Sequence, residues 1–263
     1  MPTARTVTCW MRRSIPLLVG GLLLAACSSA PPKPPASVGT SGTRDVPADI
    51  ASIPLTTQTG AVTTLAKMKG KTVFAVPFLT LCPDVCPFTT GNVKAVQASV
   101  DAAGQGKDVV VLEWSVDPER DTQERLAAYA KMTGADWTMV RTSPANTKKL
   151  MAFFGAVTQR QPIDTSSGSM EETPIDWLTH QPITYDVTHS DGFNIIDTNG
   201  VEKFISGAPP AFHGTLPAGL DGFLSEEGKA TLKDAPKNGW TPTTALEAIS
   251  YVSGTSIPLS SPR

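Results

Sequence analysis

An apolar, β-prone run, Thr72-Val-Phe-Ala-Val-Pro-Phe-Leu, leads almost directly into Cys82-Pro83-Asp84-Val85-Cys86-Pro87, and this junction constrains the fold more than any other stretch. A run with no polar face reads as a strand covered by helices on both sides, which implies an α/β sheet. Pro77 predicts that the far end of this strand is irregular. After the cysteines, Pro87 suits the first turn of a helix, and Val93, Val96, Val100 and Ala103 recur at helical spacing until Gly104 and Gly106 stop it. The two cysteines therefore sit at a strand-to-helix turn, where the helix dipole and free N–H groups favour thiolate over thiol. Such a pair can close a disulfide, hold a soft metal ion or share a redox cycle.

The chain beyond this junction alternates strands and helices. A small hairpin is expected from Ile53 around Gly60, followed by a short connection over residues 65–70. Further strands are predicted from Asp108 to Val116 and from Trp137 to Arg141. Helices are predicted over 122–132 and from the cap pair Ser143-Pro144 to Gly155. Strand-helix alternation implies right-handed crossovers and a largely parallel sheet. Residues 158–185 are polar and read as an insert. A β-hairpin is expected over 192–206, with Asn199-Gly200 as a two-residue turn of positive φ and His189 in the loop before it. A second insert, 208–240, is rich in Pro and Gly with one short helix near 219–233, and a last helix runs from Thr241-Pro242 to Gly254.

The 263 residues carry a formal net charge of −2, which argues against nucleic acid as a partner. Arg5, Arg12 and Arg13 precede an apolar run from Ile15 to Ala26, read as a signal peptide over 1–27; Met11 offers an alternative start. Leu24-Ala25-Ala26-Cys27 is similar to a lipobox, making Cys27 the expected lipidation site. Residues 28–52 read as a flexible tether and 53–263 as the folded domain, held outside the cell membrane by the lipid. With Cys9 removed and Cys27 blocked, Cys82 and Cys86 are the only free thiols expected of the four cysteines.

Three strings in this order resemble the Sco/SenC family of copper-binding proteins, a branch of the thioredoxin superfamily. Cys82-Pro-Asp-Val-Cys86-Pro87 is similar to its cysteine loop, Asp117-Pro-Glu-Arg-Asp-Thr122 to its DPERDT segment, and Asp186-Val-Thr-His189 to its histidine loop. The resemblance implies an α/β, thioredoxin-like fold, here with an N-terminal β-hairpin and two loop inserts. It also implies copper, as Cu(I) or Cu(II), on Cys82, Cys86 and His189, and delivery to subunit II of cytochrome c oxidase or another copper acceptor. Two thiolates and an imidazole suit copper independently. His180 and His213 are rivals to His189 should the loops register differently. Asp117 is expected beside the site as an outer hydrogen-bond acceptor; the plainer reading is that Asp117-Pro118 ends a strand and Asp121 caps the next helix. Departures from the family are Phe78-Leu79-Thr80-Leu81 before the first cysteine and the two inserts.

A thiol-disulfide oxidoreductase using Cys82 or Cys86, with a thiol reductase as partner, is the competing function. Three residues between the thiols, rather than two, count against it. A thiol peroxidase is suggested by Pro77, Thr80 and Cys82, although no matching arginine accompanies them. Trp114, Trp137, Trp177 and Tyr185 are expected to be packing or rim residues.

Overall fold

The structure, a computed structural model, describes residues 33–34, 36–163 and 175–260. The signal segment and Cys27 lie outside the described residues, as does part of the first insert. Among the described residues no helix is long and apolar enough to cross a membrane.

The first elements are β1 (Thr40–Asp45), α1 (Ala48–Ala51), β2 (Leu55–Thr57) and β3 (Val62–Thr63). Next come β4 (Thr72–Phe78), α2 (Cys86–Ala102), β5 (Val109–Ser115), α3 (Gln123–Thr133), β6 (Thr138–Arg141) and α4 (Pro144–Phe154). The chain continues through β7 (Thr158–Pro162), β8 (Tyr185–His189), β9 (Phe193–Ile196), β10 (Val201–Ser206), α5 (Glu226–Lys233) and α6 (Pro242–Ser253). Eight strands form one sheet in the order β1-β10-β9-β4-β5-β6-β2-β3, while β7 and β8 pair separately. β4, β5 and β6 are parallel, as the crossovers require; β9 runs antiparallel to β4, and β10 to β9. The order β10-β9-β4-β5, with a helix after β4 and another closing the chain, is thioredoxin-like.

All seven residues of β4 are buried. The reason shows one strand over: Glu113 of β5 meets Thr90 of α2, whereas its neighbour Trp114 packs on Phe154 of α4, so these helices cover opposite faces. Helix α6 packs beside α2 on β4 and β9. Its buried Leu246 and Ile249 each contribute about 1.5–3 kcal/mol by leaving water. Thr122, Ser143 and Thr241 cap α3, α4 and α6. Gly134, Gly155 and Gly254 end the same helices.

Several expectations need correcting. The tether expected over 28–52 is not a spacer beyond Thr40, because β1 pairs antiparallel with β10 as the sheet edge. The hydrophobic content of 40–52 is low, but backbone pairing and an ion pair from the half-exposed Arg44 to the buried Glu202 replace it. Pro77 does not make β4 irregular: β9 pairs only with Val73, Phe74 and Ala75, so Pro77 has a strand neighbour on one side alone. The first insert is partly regular, since β7 and β8 form a ribbon, and His189 is the last residue of β8 rather than a loop residue. The turn before β10 spans Asp197–Gly200 and only Gly200 has positive φ, at +83°, so it is longer than a two-residue turn.

Candidate metal centre

Cys82 ends the approach from β4, Cys86 opens α2, and His189 arrives at the end of β8. Their ligand atoms all lie within 4.8 Å of one another, so the set could hold a metal ion. Both cysteines are free thiols, 8% and 1% exposed, and the imidazole is buried with them. The loop turns so that the backbone N–H groups of Val85 and Cys86 donate to the Cys82 sulfur, at 3.5 and 3.4 Å. These are free donors at the start of α2, which is why a thiolate is favoured there.

The two sulfurs are not equivalent. The Cys86 thiol and backbone N–H and the His189 imidazole hold the Cys82 thiol well below its usual range, against the effect of burial. Burial and the neighbouring Cys82 sulfur push Cys86 up. The two backbone donors aimed at its sulfur thus favour Cys82 over Cys86 as the thiolate of the pair. Burial works to lower His189, but Cys82, the Asp191 carboxylate and the Ser190 carbonyl raise it.

The imidazole is oriented by its own neighbours. Nδ1 lies 2.8 Å from the Ser190 carbonyl, which can only accept, so Nδ1 carries a proton and Nε2, 3.3 Å from the Cys86 sulfur, is the nitrogen available to a metal ion. Asp191 Oδ1 stands 3.6 Å from the same Nδ1. Asp191 was not singled out in the sequence; its place two residues after His189, before a strand, was the available signal.

His180 and His213 are exposed and stand apart from the cluster. Asp117 lies two residues beyond the end of β5, and its carboxylate is held by Arg120 and the Tyr185 hydroxyl and touches no cysteine or histidine of the cluster. Through Tyr185 it fixes the start of β8, so any influence on His189 travels along that strand. Asp121 is no helix cap, since Thr122 fills that position. It is buried instead, accepting from the Thr80 hydroxyl at 2.6 Å and from the Ser115 hydroxyl at 2.5 Å, which secures the backbone just before Cys82. Trp177 donates to the Thr80 carbonyl at 2.8 Å, so it anchors the loop as well as packing. Trp114 and Trp137 lie in the core, and Tyr185 is buried beneath two arginines.

Residues 50–206, more than half of the chain, match the family model described as SCO1/SenC. The chain belongs to the SCO1/SenC family. A curated relative, the mitochondrial protein SCO1 homolog of Homo sapiens, is 31% identical over 124 residues. The match covers 46% of this family member and 41% of the relative, so the chain spans about two fifths of that protein's length. Among solved structures, copper-bound ScoI of Bradyrhizobium japonicum is similar at 22% identity and a TM-score of 0.48, covering 74% of this chain and 98% of that one. A SCO1/SenC family lipoprotein of Bacillus anthracis is similar at 22% identity and a TM-score of 0.47, covering 64% and 88%. Strand β1, the second insert and α6 lie outside the residues matched by the family model.

Proposed function

We propose that this family member is a copper metallochaperone which carries the ion on Cys82, Cys86 and His189 and passes it to the binuclear copper site of cytochrome c oxidase subunit II, or to another copper acceptor. The observation that carries the reading is the convergence of two thiol sulfurs and an oriented imidazole nitrogen within 4.8 Å, in a member of this family. Soft sulfur donors and a low ligand count suit Cu(I), and three donors leave room for an incoming ligand. Copper is cargo here. In the transfer, acceptor thiols lose their protons as they take the ion stepwise; the released Cys86 regains one and the rest pass to solvent, while His189 keeps its Nδ1 bond to the Ser190 carbonyl throughout.

The lipid on Cys27 and the tether from 28 to the start of β1 would hold the domain outside the cell membrane, within reach of a membrane-bound acceptor. The charge pattern and Leu-Ala-Ala-Cys string of residues 1–27 support this part. A copper titration of the reduced protein tests the metal reading. One Cu(I) per chain is expected, weakened at least about tenfold by Cys82→Ser and by His189→Ala. Binding that ignores both substitutions would overturn it.

The unequal thiols favour a second capability at the same site. Cys82 as thiolate can attack a partner disulfide, after which Cys86 displaces the mixed disulfide, leaving a reduced partner and a Cys82–Cys86 disulfide that an external thiol reductase must reset. In Cys86→Ser the mixed disulfide accumulates, visible by non-reducing electrophoresis; its absence with oxidised dithiol partners removes this reading.

A further inference from the structure

Ligand exchange needs a partner's sulfur to reach thiols that are 8% and 1% exposed, so part of the surrounding structure has to move. The second insert lies on the residues between the two cysteines. Ser225 donates its backbone N–H to the Pro83 carbonyl at 3.2 Å and its hydroxyl to the Asp84 carboxylate. One turn later Gly228 is pressed so closely on the loop that a Cβ there would come within 2.6 Å of the Pro83 oxygen and 3.3 Å of the Asp84 Cα.

The attachment of this segment is uneven. Its base is fixed: Ala211 donates its N–H to the Trp240 carbonyl, Trp240 donates its own to the Pro209 carbonyl, Asn92 of α2 donates to the Trp240 carbonyl at 3.1 Å, and Leu220 and Trp240 are buried in the main core. Its tip is held lightly. Gly228 is the buried residue of α5, and Leu224 packs with Phe88 and Phe212 in a small apolar cluster separate from the main core. Lifting residues 224–239 therefore opens no part of the main core. The first insert behaves otherwise, because Arg125 and Asp176 form a buried two-bond ion pair that fixes it beside Trp177.

We propose that residues 224–239 form a strap closed over the Cys82–Cys86 loop, with Ser225 and Gly228 as its latch, and that the strap must lift before a partner's sulfur reaches either thiol. The proposal rests on the reading of this loop as the exchange site, but it concerns access to the thiols and is tested without metal.

The test is the alkylation rate of Cys82 and Cys86 by iodoacetamide in the reduced, metal-free full chain, followed peptide by peptide. Gly228→Val pushes α5 off Pro83 and is expected to speed alkylation about tenfold, and Ser225→Ala about fivefold, with hydrogen exchange of the α5 amides rising in parallel and the main melting transition unmoved. Lys229→Ala, on the exposed side of α5, keeps the wild-type rate. Should Gly228→Val not fold, Ser225→Ala decides alone. Wild-type alkylation rates in a folded latch variant overturn the strap. Failure of the copper titration with accelerated alkylation would remove the metal reading and leave the strap standing; copper binding with unchanged alkylation does the reverse.

Discussion

At the scale of single residues, the buried carboxyl of Glu113 shows how the fold alters chemistry that composition alone does not reveal. It lies in the middle of a central strand, with the Trp137 indole N–H donating to it at 2.6 Å and the Thr90 hydroxyl at 3.5 Å. Burial raises its pKa from 4.5 to about 8 against these two bonds. In the unfolded chain it gives up its proton near 4.5, in the fold near 8, so between those values the folded state holds the extra proton and each rise in pH costs stability. The contribution is complete below about pH 4.5 and lost as pH passes about 8. Glu113→Gln keeps the shape and an N–H donor but cannot ionise. Its melting temperature is expected to fall less than that of the wild type between those two values, as scanning calorimetry across the range would show; parallel curves would rule out Glu113 as the source. The same scale explains why His189 is legible as a candidate from its string, whereas its orientation is not. Which nitrogen faces the sulfur depends on the Ser190 carbonyl and Asp191, whose positions follow from how β8 ends.

At the scale of elements, the cysteine loop is secured by both inserts in different ways. The first is tied to α3 by Arg125 and Asp176, with bonds of 2.8 and 2.5 Å between two largely buried side chains. Removing one partner strands the other charge, so Asp176→Asn is expected to cost about 3 kcal/mol in urea denaturation. It should also loosen Trp177 from the Thr80 carbonyl, read as a change in tryptophan fluorescence. A loss within about 0.5 kcal/mol would mean that the pair is solvated and does not anchor the insert. The helices themselves were readable because capping residue, proline and terminal glycine are local signals. The β7–β8 ribbon was not, because Thr158–Pro162 is polar and finds its partner across an insert more than twenty residues long.

For the whole molecule, β1 closes one edge of the sheet and supplies Arg44 to Glu202, a carboxylate buried beside Asn194. A chain beginning at Val46 loses the strand and leaves Glu202 with Asn194 alone. We expect such a truncation to lower stability by about 2–4 kcal/mol, a fall of roughly 5–15 °C in Tm by thermal scanning. Arg44→Ala, which keeps the strand, should lose a smaller part of this. An unchanged Tm in the truncated chain would show that β1 adds nothing to the sheet. β1 and the buried Val38 before it also shorten the proposed tether, so the reach of the domain from a lipid on Cys27 would be set by the residues before Val38.

The order of strands and helices from β4 to α4, the closing hairpin and last helix, the strand-to-helix placement of the two cysteines and the family membership were determined by the sequence by itself, since apolar periodicity, caps and short motifs act over a few residues. Only the tertiary structure decided that the thiols are unequal, that Asp117 serves β8 rather than the cluster, that Thr40–Asp45 is a strand, and that the second insert lies on Pro83 and Asp84. Each of these depends on contacts between residues far apart in the chain, where burial and geometry outweigh what any local stretch prefers.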